Sequence, residues 1–205
     1  MSGRRRTPPT AAIDARSMTP IRMQHAAIAC LGLAAAGASI WAAPGAPGLL
    51  GAGLALLMLA IAVIDARHLI IPNELNAAAL ALALINATVL APSAVLEGFA
   101  AALSRGAVVM LLFLALRIAY RRLRGREGLG LGDVKLAFVA GAWLDWPMIP
   151  IAVEIAAVGA LMFYGALRLR GKGPDPLARL PFGLFLAPAI WMAWLLGATV
   201  MGFGG

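Results

Sequence analysis

The sequence is poor in cysteine, in histidine and in acidic residues. It has one cysteine, two histidines and nine Asp and Glu among 205 residues. One cysteine, Cys30, excludes an internal disulfide framework and a metal site built from several cysteines of one chain. Charged residues make up 13% and hydrophobic residues 62% of the chain, whereas about a quarter of a soluble domain is charged. These shortages predict an integral membrane protein.

Long apolar runs take up most of the chain. A transmembrane helix needs ~20 such residues, and the sequence offers seven candidates, with basic or short uncharged breaks between them. The predicted spans are residues 25–43, 48–65, 74–91, 94–119, 131–146, 149–167 and 181–202. The expected fold is all-α, a polytopic membrane helical bundle with about six or seven transmembrane helices. No internal repeat or separate soluble domain is visible.

Basic residues predict the orientation. Five of the seventeen Lys and Arg precede the first span, and all others except Arg105 lie at the same alternate set of span ends. Because Lys and Arg mark the cytoplasmic side, we expect the N-terminus in the cytoplasm and the C-terminus outside. The net charge of +8 then reflects orientation and attraction to anionic lipid headgroups. No nucleic-acid partner is expected.

The first residues of the chain differ in composition from the rest. Residues 1–24 are basic and rich in proline, and we expect them to be a disordered cytoplasmic segment, followed by one transmembrane domain over 25–205. The run after "RRR" also has the layout of a secretory signal, with "WAAPGA" as a possible cleavage zone. The apolar stretch and its polar leader are both long for a signal, which favours an uncleaved first span.

Two aspartates stand at the ends of predicted spans. Asp65 ends the second span and Asp133 begins the fifth, and two complete crossings between them return the chain to the same side. Both carboxylates are therefore expected just inside the cytoplasmic edge of the bilayer. An ionised Asp in hydrocarbon is unfavourable by ~2.5–3.5 kcal/mol on insertion scales, so such residues are functional candidates by default.

Glycines surround the second aspartate. In "GLGLGDVKL", Gly130 and Gly132 precede Asp133, and glycine lets another backbone approach closely. A helix beginning there directs free N–H groups at a carboxylate or a substrate carbonyl. Two adjacent carboxylates share a proton, so that one can act as a base on water while the protonated partner polarises a carbonyl.

Three stretches, taken together, resemble a known family. "DARHLIIPN" at 65–73, "GLGLGDVKL" at 128–136 and "LPFG" at 180–183 resemble, in order, the motifs of the prepilin peptidases. These are bacterial membrane-embedded aspartic proteases of the GxGD type. The resemblance covers about 140 residues, which is nearly all of the chain after its first span.

The resemblance implies specific roles. It implies that Asp65 and Asp133 are the catalytic pair, and that other motif residues bind substrate or shape the site: Gly130, Gly132, Lys135, Pro72, Asn73, Pro181, Phe182 and Gly183. The implied substrate is a type IV pilin-like precursor, whose basic leader is cut at the cytoplasmic face of the bacterial inner membrane. No metal or organic cofactor is expected, and the oligomeric state stays open.

The chain also departs from the larger family members. Those carry a cytoplasmic insertion with paired CxxC motifs between the first two spans and also N-methylate the new N-terminus. Here that position holds only "AAPGAPG". The chain resembles the shorter, peptidase-only form of Flp/Tad-type pilus systems, so N-methyltransferase activity is not expected.

Several single residues carry smaller expectations. Asn73 is predicted to cap the third span, with Glu74 in its first turn, and Lys135 to reach lipid headgroups. For Arg105 two alternatives stay open: its side chain pairs with Glu154 of the sixth span, or it snorkels to the membrane surface. The tryptophans are predicted to form aromatic belts: Trp41, Trp143, Trp146, Trp191 and Trp194.

Two other function classes fit a pair of membrane carboxylates. A proton- or cation-coupled transporter would use Asp65 and Asp133 as ion sites, but transporters place such groups near the midplane, in repeated halves. A non-catalytic membrane protein of pilus or secretion assembly would have the same sequence pattern without turnover. The three stretches and their placement favour the peptidase.

Overall fold

A computed structural model describes residues 15–125, 128–171 and 181–201, and every regular element within them is an α-helix. Seven α-helices follow one another along the sequence. They are α1 (Ala15–Ala42), α2 (Ala46–His68), α3 (Asn73–Leu90), α4 (Val95–Arg124), α5 (Leu131–Trp143), α6 (Met148–Leu169) and α7 (Gly183–Met201). The all-α prediction is confirmed.

Six of the seven helices are long and apolar enough to cross a membrane. The exception is α5, predicted as a span over 131–146, which has only 13 residues and is therefore about 20 Å long. The hydrocarbon core is about 30 Å thick. The described chain therefore has the helices of a multi-pass membrane protein, with one short helix among them.

The short helix is the centre of the bundle. Nine of its residues are buried, from Asp133 to Trp143, and it packs against α3, α4 and α7. Around it, α2 packs on α1, α3 and α7, and the main neighbour of α6 is α7. Because protein surrounds α5 on several sides, its length need not match the thickness of the bilayer.

Glycines bring α4 and α5 into backbone contact. A Cβ atom at Gly141 would lie 2.7 Å from the carbonyl oxygen of Arg105, and one at Gly106 would lie 2.8 Å from the carbonyl oxygen of Phe138. Small residues at such crossings allow the close van der Waals packing that holds membrane helices together. The contact fixes α5 along α4.

The bundle has two ends, which we name by their contents. The aspartate face holds the ends of α2, α4 and α6 and the beginnings of α3, α5 and α7. The far face holds the opposite ends. Which of them is cytoplasmic remains the prediction made from the basic residues.

Two expectations differ from the structure. Helix α1 begins at Ala15, so residues 15–24 are helical rather than disordered, while residues 1–14 lie outside the described part. The aromatic-belt prediction is wrong for Trp143 and Trp194, which are buried and meet edge to face, with ring centroids 6.5 Å apart. Trp41 and Trp146 are exposed, as a belt requires.

Candidate active site

Asp65 lies in the last turn of α2 and points at the beginning of α7. It is 5% exposed, and its Oδ2 accepts a hydrogen bond of 2.9 Å from the backbone N–H of Leu184. The approach needs glycine at the preceding position, because a Cβ atom at Gly183 would lie 2.8 Å from Asp65 Oδ2. The N-terminus of α7, with its free N–H groups, therefore binds the Asp65 carboxylate.

Asp133 is the third residue of α5 and is 6% exposed. Its Oδ2 accepts a hydrogen bond of 3.0 Å from the backbone N–H of Gly130, which precedes the helix in extended conformation. This contact is one half of a capping box. A Cβ atom at Gly130 would lie 3.1 Å from the same oxygen. The prediction that this glycine loop directs N–H groups at a carboxylate is confirmed for Asp133 itself.

The two aspartates, 68 positions apart in the chain, lie on the same face of the bundle. The backbone N–H of Gly183 interacts with both carboxylates, and the two carboxylates interact electrostatically with each other. The three family-like stretches thus converge, because Gly183 of the third lies against Asp65 of the first and Asp133 of the second. The shared face that was inferred from counting crossings is present in the structure.

Ile71 fills the space between the N-termini of α5 and α7. Its side chain is buried, and sequence reasoning did not single it out. The Cβ position of Gly132 in α5 lies 3.1 Å from Ile71 Cβ, and that of Gly183 in α7 lies 2.7 Å from Ile71 Cδ1. Leu69, with a left-handed backbone (φ 54°), ends α2, and Ile71 follows two residues later. Ile71 thus sets the separation of the N-termini of α5 and α7.

Known proteins are similar to this chain over much of its sequence. The model of the type IV leader peptidase family matches residues 52–166, a range that contains both aspartates and more than half of the chain. The chain belongs to the type IV leader peptidase family.

Relatives in this family carry the name prepilin leader peptidase/N-methyltransferase. The protein of Burkholderia pseudomallei is 34% identical over 194 residues, which is 91% of this chain and 57% of the relative. That of Pseudomonas aeruginosa is 35% identical over 148 residues, 70% of this chain and 48% of the relative. That of Aeromonas hydrophila is 41% identical over 83 residues, 40% of this chain and 28% of the relative.

The chain therefore spans at most about three fifths of the length of these relatives. No solved structure shows significant similarity to it. Family membership is established by the family model.

The remaining residues of the family-like stretches connect α3 with α5. Lys135 Nζ donates a hydrogen bond of 2.8 Å to Asn73 Oδ1. The predicted N-cap role of Asn73 is wrong, because Pro72 precedes the helix and Asn73 is its first residue. Glu74 lies in the first turn, as predicted. Lys135 therefore joins the beginnings of two helices at the aspartate face, next to Asp133.

The stretch before α7 is half-buried. Pro181 and Phe182 lead directly into the helix, and the Phe182 ring faces Phe113 of α4 with centroids 6.5 Å apart. The stretch does more than begin a helix, since its glycine and the following N–H group contact Asp65.

One tyrosine, which no sequence motif singles out, also belongs to this region. Tyr164, near the end of α6, interacts electrostatically with Asp65, and its ring packs against Phe163 and Phe185 with centroids 5.3 and 6.1 Å apart. No spacing or motif signals it, because α6 meets the site only through its packing on α7.

Arg105 lies away from this site, at the far end of α5. Its Nε donates a hydrogen bond of 3.3 Å to the carbonyl oxygen of Gly141, and its Nη2 lies 3.6 Å from Asp145 Oδ1. Glu154, the partner considered from the sequence, is exposed on α6, so that pairing is wrong. Arg105 binds a carbonyl at the C-terminal end of a helix, where a cation is favourable.

The acidic side chains buried at the site are Asp65 and Asp133. Within residues 15–125, 128–171 and 181–201, no three His, Cys, Asp or Glu side chains lie close enough to hold a metal ion. Two buried aspartates with backbone N–H partners can divide the roles of base and proton donor. A polar side chain that must act inside a membrane needs such a protein-lined setting.

Proposed function

We propose that this chain is a membrane-embedded aspartic endopeptidase that removes the basic leader of type IV pilin-like precursors, using Asp65 and Asp133. The observation that supports it best is the convergence of both buried carboxylates on the first residue of α7. Family membership points to the same chemistry. The names of the relatives supply the substrate class.

The proposed mechanism divides the work between the aspartates. The ionised carboxylate takes a proton from a water molecule, and this water attacks the scissile carbonyl carbon. The protonated partner donates a hydrogen bond to the carbonyl oxygen and later gives its proton to the leaving amine. The Oδ2 atoms are bound to the backbone N–H groups of Leu184 and Gly130, which orients the other oxygen of each carboxylate for water and substrate.

The proposal includes a location. Basic residues concentrate at the aspartate face, with Arg121, Arg122 and Arg124 in the last turn of α4. By the positive-inside rule this face is cytoplasmic, as expected for a bacterial inner-membrane enzyme that cuts a leader before the apolar helix of its substrate. The proposal concerns the peptidase activity alone.

The test is cleavage of a tagged pilin precursor from the same genome. The precursor is co-expressed with the wild type, with Asp65→Asn or with Asp133→Asn, in membranes that lack other prepilin peptidases, and its N-terminus is read by mass spectrometry. Asn keeps the size of Asp but cannot act as a base, so either change should abolish cleavage at unchanged protein level. Glu154→Gln, which neutralises an exposed carboxylate of α6, is the matched control and should cleave normally.

The outcomes separate the function classes. Cleavage that survives either Asn substitution would show that these carboxylates are not the catalytic pair. An uncut precursor with well-folded wild-type protein would count against a peptidase, and in favour of a transporter or an assembly protein.

A further inference from the structure

A cavity of about 150 Å³ opens at the far face, away from the aspartates. It lies where α5 stops short, since this helix is about 20 Å long while the hydrocarbon core measures about 30 Å. Five helices or their ends contribute to its wall. The polar residues that line it are Asn86, Arg105, Trp143, Asp145 and Trp194.

The charged pair in this cavity has unused bonding capacity. The only hydrogen bond that Arg105 makes within the described residues uses Nε, and the 3.6 Å between its Nη2 and Asp145 Oδ1 exceeds hydrogen-bond distance. The Asp145 side chain is 70% exposed, so its attraction to Arg105 is weakened by solvent. The Nη groups of the guanidinium therefore make no hydrogen bond within the described residues.

Three polar atoms in the cavity wall are buried without a partner. Asn86 Oδ1, Trp143 Nε1 and Trp194 Nε1 have no hydrogen-bond partner among the parts of the chain that the structure describes, although buried polar groups normally find one. Protein covers each of these atoms almost completely, so the polar contacts open to a ligand are those of Arg105 and Asp145.

The charges select the type of ligand. Arg105 and Asp145 cancel, and the C-terminal end of α5 adds partial negative charge, so a purely anionic group would be attracted by one residue and repelled by the other. A zwitterion satisfies both, with its phosphate on the guanidinium and its ammonium on the carboxylate. The apolar part of the wall, with Leu90 and Met148, suits a glycerol ester or an acyl chain.

We propose that the far-face cavity binds the headgroup of a zwitterionic phospholipid, phosphatidylethanolamine, which lies against both Arg105 and Asp145. The ligand holds the far end of α5, the helix that carries Asp133 at its other end. The site is separate from the aspartates, and the proposal holds whether or not the chain cleaves precursors.

Native mass spectrometry of the delipidated full chain tests the proposal. The protein in detergent is titrated with phosphatidylethanolamine, phosphatidylcholine or phosphatidylglycerol of identical acyl chains, and the apparent Kd of the first adduct is measured. Phosphatidylethanolamine should bind tightest, because phosphatidylcholine lacks ammonium N–H donors and phosphatidylglycerol lacks the cation. Arg105→Gln and Asp145→Asn should each weaken its binding by about tenfold, as expected for one lost charge-assisted hydrogen bond.

The control is Arg124→Gln, which removes one positive charge from the other end of the same helix, and should leave the Kd unchanged. The proposal is overturned if both cavity variants bind phosphatidylethanolamine like the wild type, if wild type prefers phosphatidylglycerol, or if Arg124→Gln weakens binding equally. Should Arg105→Gln fail to fold, Asp145→Asn alone decides, because its exposed side chain makes a folding defect unexpected.

Discussion

Gly183→Ala is the sharpest test of how the fold positions Asp65. The added Cβ would lie 2.7 Å from Ile71 Cδ1, 2.8 Å from Asp65 Oδ2 and 3.0 Å from Asp65 Cγ. Ile71 Cδ1 is the end of a flexible side chain and can rotate away. The carboxylate cannot move without losing its 2.9 Å hydrogen bond from Leu184 N–H. The substitution should therefore displace the Asp65 carboxylate.

The size of the effect follows from that hydrogen bond. A hydrogen bond to a charged group contributes about 1.5–3 kcal/mol, so a displaced carboxylate should lower kcat by about 10- to 100-fold. KM should change little, since the leader and the apolar helix of the precursor offer binding contacts outside this position. The free energy of unfolding should fall by only about 0.5–2 kcal/mol, because Gly183 has an ordinary helical backbone and the better helix propensity of alanine, about 1 kcal/mol, partly offsets the lost hydrogen bond.

Steady-state cleavage of a purified precursor in detergent gives kcat and KM, and thermal unfolding gives stability. Gly37→Ala is the matched control, because a Cβ there meets nothing within 4 Å. Adding Ile71→Val to Gly183→Ala removes the Cδ1 contact but leaves the Asp65 contact, so it should not restore activity. A wild-type kcat in Gly183→Ala, or full rescue by Ile71→Val, would refute the idea that α7 holds Asp65 in place.

Two further predictions concern the packing around α5. In a double-mutant cycle of Asn73→Ala and Lys135→Ala, unfolding measurements should give a coupling free energy of about 0.5 kcal/mol. The value is modest because the hydrogen-bonded pair is exposed. A coupling of zero would instead favour contact of Lys135 with lipid headgroups. Gly141→Ala places a Cβ 2.7 Å from a backbone carbonyl of α4, which no rotation relieves, and should cost about 1–3 kcal/mol. Gly165→Ala, which meets nothing within 4 Å, is its control, and an equal effect of both would contradict the close contact.

Much of the fold could be predicted because the bilayer restricts the choice. Only helices and closed barrels cross a membrane, so long apolar runs translate directly into helices, and the bounds of most helices agree with the predicted spans within a few residues. The second aspartate could be placed with the first for the same reason, since crossings can be counted. Asp65 and Asp133 needed no tertiary information to share a face.

The contacts that position the aspartates could not be predicted in this way. The hydrogen bond from Leu184 to Asp65 joins residues 119 positions apart, and that from Lys135 to Asn73 joins residues 62 apart. Hydropathy contains no information on which helix ends meet. Ile71 is a plain apolar residue in a short loop, so only its position between Gly132 and Gly183 reveals its role.

The errors have a common physical cause. Local rules predict Asn73 as an N-cap and Trp143 as a belt residue. In the structure each meets a residue of another helix instead. Inside a bilayer, polar groups find partners across helices because lipid offers none, so rules calibrated on isolated helices fail most where helices pack.

The short helix α5 lies between the active site at one face and the cavity at the other. A helix that spanned the bilayer would carry Asp133 at one surface and fill the bundle up to the other. With 13 residues, α5 instead stops at Gly141–Trp143, where Arg105 binds its end, and the cavity occupies the remaining depth. Because backbone contact at Gly141 holds α5 against α4, a ligand at its far end would act on the same rigid helix that carries Asp133 at its other end. A molecule bound in the far-face cavity is therefore expected to act on the position of Asp133 without touching it.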